Sequence, residues 1–71
     1  MTRFEIEADI NGDGIGRTQA ELDSRADALR RARSLAEKAE GRVQVWMERL
    51  DDSGLTRRRV WQSEAVEILS Y

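Results

Sequence analysis

Two tryptophans and a run of arginines are the residues of this sequence best suited to chemistry, and that chemistry is binding. Trp46 and Trp61 are the only indoles, and Arg57-Arg58-Arg59 stands between them. An indole offers a broad apolar surface and a π-face that attracts guanidinium, and Trp and Arg are enriched where protein interfaces concentrate their binding free energy. A second basic group, Arg30, Arg31 and Arg33, has the charge to contact phosphate. A third cluster, Asp9-Ile10-Asn11-Gly12-Asp13-Gly14, carries oxygen ligands at alternate positions before a glycine, as the start of a calcium loop does. Catalytic groups are scarce, because a chain without His or Cys lacks the commonest general base and the strongest side-chain nucleophile. The expectation is a protein that is not an enzyme, with no catalytic residues, no metal and no cofactor.

Each cluster has a plainer reading. The acidic loop resembles the first half of EF-hand and dockerin loops, but position twelve, where a bidentate carboxylate belongs, falls on Ala20 with Glu21 one place late. Asp9, Asn11 and Asp13 would make a weak calcium site at best, and a hairpin turn is expected. Gly12-Asp13-Gly14-Ile15-Gly16 mimics a phosphate cradle, but such cradles open directly into a helix. Here about eight residues intervene before the first helix signal, and Asp13 would repel the ligand. The arginines at 30, 31 and 33 fall on the solvent side of a helix, and in a strand Arg58 points opposite to Arg57 and Arg59. Glu5, Glu7 and Asp9 project from one strand face and read as an acidic solvated surface, with imitation of a phosphate backbone as the functional alternative.

The elements that position these groups follow from periodicity. Phe4, Ile6, Ala8 and Ile10 alternate with Arg3, Glu5, Glu7 and Asp9, the period-two signature of a strand with one dry and one wet face. The Asn11–Gly14 turn then predicts a hairpin, with a second strand over about Ile15 to Ala20. Ser24 has the chemistry of an N-cap, with Asp27 three residues on. Ala28, Leu29, Ala32, Leu35, Ala36 and Ala39 recur at spacings of three and four, predicting an amphipathic helix of about four turns with Gly41 as a left-handed stop. Val43, Val45 and Met47 predict a third strand, Asp51-Asp52-Ser53-Gly54 a second hairpin turn, and Thr56 to Gln62 a fourth strand. Val66, Ile68 and Leu69 are candidates for a fifth.

The fold class is therefore α+β, one domain over residues 1–71: an antiparallel sheet of four to five strands with one helix on one face, in the order β-β-α-β-β with an optional terminal strand. Strict alternation sends Trp46 and Leu50 to the face away from the helix. If the second hairpin closes Leu50 against Leu55, Glu48 pairs with Arg57 and Trp46 with Arg59; a slip of one residue would bring Arg58 and Val60 to Trp46 instead. The plainer alternative is an indole covered by the C-terminal segment, with Tyr71 as the cover.

Charge is unevenly spread. Residues 1–23 hold six acids and two bases, residues 24–50 seven bases and four acids, and residues 51–71 three bases and four acids. An acidic front and a basic middle favour a mixed or self-complementary partner over duplex DNA. No apolar run approaches the ~20 residues of a membrane span, and the charged start MTRFEIEAD does not suit a signal peptide, so no membrane is implied and a cytoplasmic location is expected.

In length, in lacking Cys and His, and in the order strand, helix, strand, turn, strand over residues 20–62, the chain resembles some small phage-encoded anti-CRISPR proteins. The pattern in which a helix such as Ser24-Arg25-Ala26-Asp27-Ala28-Leu29 precedes a strand, an Asp/Gly turn and a charged strand is also similar to short bacterial domains of unknown function. The resemblance implies an inhibitor or adaptor and transfers no functional residue. The expected function is a binding module for a protein or ribonucleoprotein, with Trp46, Arg57, Arg59 and Trp61 as anchors. A homodimeric structural protein and a nucleic-acid binder acting through the Arg clusters are the alternatives.

Overall fold

Alternation of Phe4, Ile6 and Ala8 with Glu5 and Glu7 produces the first strand, β1 (Thr2–Ala8), in a computed structural model that describes residues 1–63. It is followed by β2 (Arg17–Leu22), α1 (Arg25–Ala36), β3 (Val43–Asp51) and β4 (Gly54–Gln62). The strands form one sheet in the order β2-β1-β3-β4 with all neighbours antiparallel. Since β2 and β3 both oppose β1, they run parallel to each other, and a connection between parallel strands has to cross over a face of the sheet. The helix is that crossover, and it packs mainly on β1, β2 and β3. The order β-β-α-β-β is thus realised with four strands, while the candidate fifth strand at Val66, Ile68 and Leu69 lies outside the described residues, as does Tyr71.

The core forms between α1 and the two central strands. Ile6 stands opposite Val45 and Ala8 opposite Val43, and all four are essentially inaccessible to solvent. Ala28 and Ala32, one turn apart on α1, are fully buried above them, and Phe4 completes the cluster. Small side chains at the contact let the helix axis approach the sheet closely, and Leu22, Leu29, Leu35 and Met47 seal the margins.

Ser24 caps the helix as its sequence position predicts. Its backbone is extended, and its hydroxyl accepts the Asp27 N–H at 3.3 Å. The other end departs from expectation. Helical structure stops at Ala36, after about three turns instead of four, because the chain tightens onto Leu35 and is then drawn to partners outside the helix. Lys38 and Ala39 both donate to the Leu35 carbonyl, and Glu40 and Gly41 donate to the carbonyls of Ile10 and Asp9, continuing the β1–β3 pairing. Gly41 does not adopt a positive φ. Glycine is needed there for space, since a Cβ would collide with the Asp9 side chain.

The first hairpin loop is also larger than predicted, with β2 beginning at Arg17 and Ile15 left 52% exposed. The cause is Asp9, which leaves the strand and accepts three backbone N–H groups: Gly12 at 2.8 Å, Asp13 at 3.1 Å and Gly14 at 2.8 Å. Wrapping the loop around one carboxylate requires left-handed backbone at Gly12 (φ 73°) and Gly14 (φ 84°), which glycine adopts without steric cost.

Candidate functional site

The face of the sheet opposite α1 is built in rows set by the strand register. Leu50 faces Leu55 near the tip of the β3–β4 hairpin, followed by Arg3–Glu48–Arg57, then Glu21–Glu5–Trp46–Arg59, then Thr18–Glu7–Gln44–Gln62. The expected pairings of Leu50 with Leu55, Glu48 with Arg57 and Trp46 with Arg59 are all present. A short loop enforces them: Asp51 Oδ1 accepts both the Ser53 N–H at 2.9 Å and the Ser53 hydroxyl at 2.6 Å, and Gly54 takes φ 113°. These Ser53 bonds also hold the Asp51 carboxyl below the usual carboxylate range.

Trp46 sits at the centre of this face, half-buried, with two guanidinium groups against its ring. The Arg57 Cζ lies 4.6 Å from the ring centroid and that of Arg59 6.0 Å. Arg57 reaches across the indole to Glu5 Oε1 at 2.7 Å, with Glu7 and Glu48 oxygens each at 4.0 Å. Thr18 Oγ1 donates to the second oxygen of Glu5. Arg59 donates to Gln44 Oε1 at 3.1 Å, and Gln44 in turn donates to Glu7 Oε1 at 3.2 Å. Arg3 closes the network by bridging Glu48 at 3.1 Å and Glu21 at 3.5 Å. A connected chain of polar contacts therefore runs from Glu21 through Arg3, Glu48, Arg57, Glu7 and Gln44 to Arg59 beside the indole, whose Nε1 has no hydrogen-bond partner among the described residues.

Two sequence expectations require correction. Glu5, Glu7 and Asp9 do not form a solvated acidic row. Glu5 is only 8% exposed because Arg57 lies over it, and Asp9 is buried within its own loop. Trp61 does not share the face of Trp46. A bulge in β4 places Trp46 opposite Arg59 but Val45 opposite Trp61, so one extra residue reverses the alternation. Trp61 accordingly packs with Val45 against the core, and of the four expected anchors only Trp46, Arg57 and Arg59 share the face opposite α1. Glu5, Thr18, Gln44 and Arg3 were not foreseen as parts of the site. The roles of Arg3, Glu5 and Gln44 depend on β1 pairing with β3, which no local pattern announces, while Thr18 reaches Glu5 across the β1–β2 pair.

Elsewhere the clusters stay apart. Both oxygens of Asp9 are engaged by backbone amides, and Asp13 accepts the Ile15 N–H at 3.0 Å and lies 3.5 Å from Arg17. The Ile15 bond is the main reason that the Asp13 carboxyl titrates below its ordinary range. Among the described residues no three His, Cys, Asp or Glu side chains converge as a metal site would require. The Gly12–Gly16 segment leads into β2, so no helix N-terminus faces it. Arg30 pairs with Asp27, while Arg31 and Lys38 border a shallow groove of about 310 Å³ floored by Ile6, Ala20 and Leu35. No helix among the described residues is long and apolar enough to cross a membrane. No family model, curated protein or solved structure matches the chain.

Proposed function

We propose that this protein is a non-enzymatic binding module that docks on a protein or ribonucleoprotein through the sheet face centred on Trp46. The observation that carries the reading is the placement of the indole between the guanidinium groups of Arg57 and Arg59, on the face that the helix does not cover. Docking costs free energy for each long side chain that must be immobilised, about 0.5–1.5 kcal/mol apiece. Arg57 is already held by its ion pair with Glu5 and Arg59 by its hydrogen bond to Gln44, so part of that cost is met during folding. Beside this platform, Leu50 and Leu55 are 57% and 66% exposed, an apolar pair that a partner would bury.

The charge pattern narrows the partner. Glu5, Glu7, Glu21 and Glu48 share the face with Arg3, Arg57 and Arg59, so a bare polyanion meets more repulsion than attraction, whereas a mixed protein surface does not. The same alternation of sign favours a second copy of the chain as the competing partner, and sedimentation at micromolar concentration separates the two, since a dimer closed through this face leaves no platform free. The resemblance to small phage-encoded inhibitors supports an inhibitory use of the platform.

The test is a pull-down from the source cell with identification of the captured protein, comparing the wild type with a Trp46→Ala/Arg59→Ala variant whose unfolding transition is measured in parallel. Loss of the partner with a retained cooperative transition is expected. Undiminished capture by the double variant rejects this face.

A further inference from the structure

Of the three consecutive arginines of β4, Arg57 and Arg59 flank Trp46 and Arg58 lies on the other side of the sheet. Among the described residues β4 is a sheet-edge strand, hydrogen-bonded to β3 on one side and to no other strand. Its regular portion runs from Gly54 to Arg59, ahead of the bulge, and residues 55–59 are all exposed. The helix lies over the other three strands, so the edge is not roofed by it. Edge strands are templates for added strands, and charged side chains placed on them select what is added.

Here the selection has a definite sign. Of the three arginines, only Arg57 takes part in an ion pair among the described residues. Arg58, directed to the helix side opposite Met47, and Arg59, on the other side opposite Trp46, leave charge available on both faces of the edge. An antiparallel copy of β4 paired about Arg58 would set arginine against arginine, which is destabilising. An incoming strand rich in carboxylates would instead meet a guanidinium on each face.

We propose that the outer edge of β4 captures an extended acidic peptide segment by strand addition, its backbone pairing along Gly54–Arg59 and its carboxylates meeting Arg58 and Arg59. This surface shares Arg59 with the Trp46 platform but does not require the indole.

The experiment is an NMR titration of the full ¹⁵N-labelled chain with an eight-residue synthetic peptide of the repeat Glu-Glu-Val-Val, which carries carboxylates on both faces of a strand, a counterpart with lysine in place of glutamate, and the glutamate peptide with every backbone nitrogen methylated. The expected result is shifts and slowed amide exchange confined to β4 with the glutamate peptide, at least tenfold weaker binding of the methylated one, and none with lysine. Arg58→Glu should remove the response, while Trp46→Ala should leave it in place, which separates failure here from failure of the docking face. Equal binding of the methylated peptide, shifts centred away from β4, or no response to the glutamate peptide would each overturn strand addition.

Discussion

On the helix side of the sheet, Phe4, Ile6, Ala8, Val43 and Val45 meet Ala28 and Ala32 in a dry cluster. On the other side the intervening residues of the same strands, Glu5, Glu7, Gln44, Trp46 and Glu48, are closed over by arginines from the neighbouring strands. The first face is held by apolar area, which has no direction and adapts to small changes of shape. The second is held by pairing, where each charge is tolerated only because its partner is present. The contrast separates the two tasks of a small domain. One face buries the apolar core, and the other holds an indole and its guanidiniums in place, as the proposed docking function requires.

The comparison breaks most readily at the core. Ile6→Ala should cost about 3 kcal/mol, within the usual range for truncating a fully buried aliphatic residue. A domain of this size is marginally stable, so urea unfolding should show much of its total stability lost. A cost below about 1 kcal/mol would mean that the helix face is not the main source of stability.

A smaller effect tests the open face. In a double-mutant cycle with Glu5→Gln and Arg57→Met, the coupling should be about 1–2 kcal/mol, between the values for exposed and buried pairs because Arg57 is partly open to solvent while Glu5 is not. Indole fluorescence should shift when Arg57 is removed. Coupling near zero with unchanged fluorescence would reduce the network to ordinary surface charge.

The smallest effect lies at the hairpin turn, outside both faces. Ser53 lowers the Asp51 pKa in the folded state, so the folded protein binds fewer protons than the unfolded chain as pH falls. That contribution is present above the unfolded carboxylate pKa and is lost as pH drops through the depressed folded value. Asp51→Asn should therefore flatten the acid limb of a stability–pH profile slightly, and an identical limb in the variant would remove Asp51 from the account.

How much of this was legible in the sequence depended on distance along the chain. The β3–β4 register was readable because a two-residue loop leaves few alternatives, and Trp46, Arg57 and Arg59 share a face as their spacing implied. The helix start was readable because Ser24 acts on an amide three residues away. Its end was not, since Glu40 and Gly41 are claimed by backbone carbonyls of Ile10 and Asp9, just beyond the end of β1. Trp61 was misplaced because alternation cannot register one extra residue in β4.

Composition and periodicity by themselves determined an α+β domain with a sheet dry on one face, one Ala-striped helix, and a chain poor in catalytic groups. Those properties arise from local propensity and from apolar spacing, both written in consecutive residues. Only tertiary structure decided that Glu5 would be buried beneath Arg57, that Asp9 would anchor a loop, and that one tryptophan would face outward and the other inward. Each of those outcomes depends on which strands become neighbours, and the burial of one residue is then fixed by side chains far away in the chain.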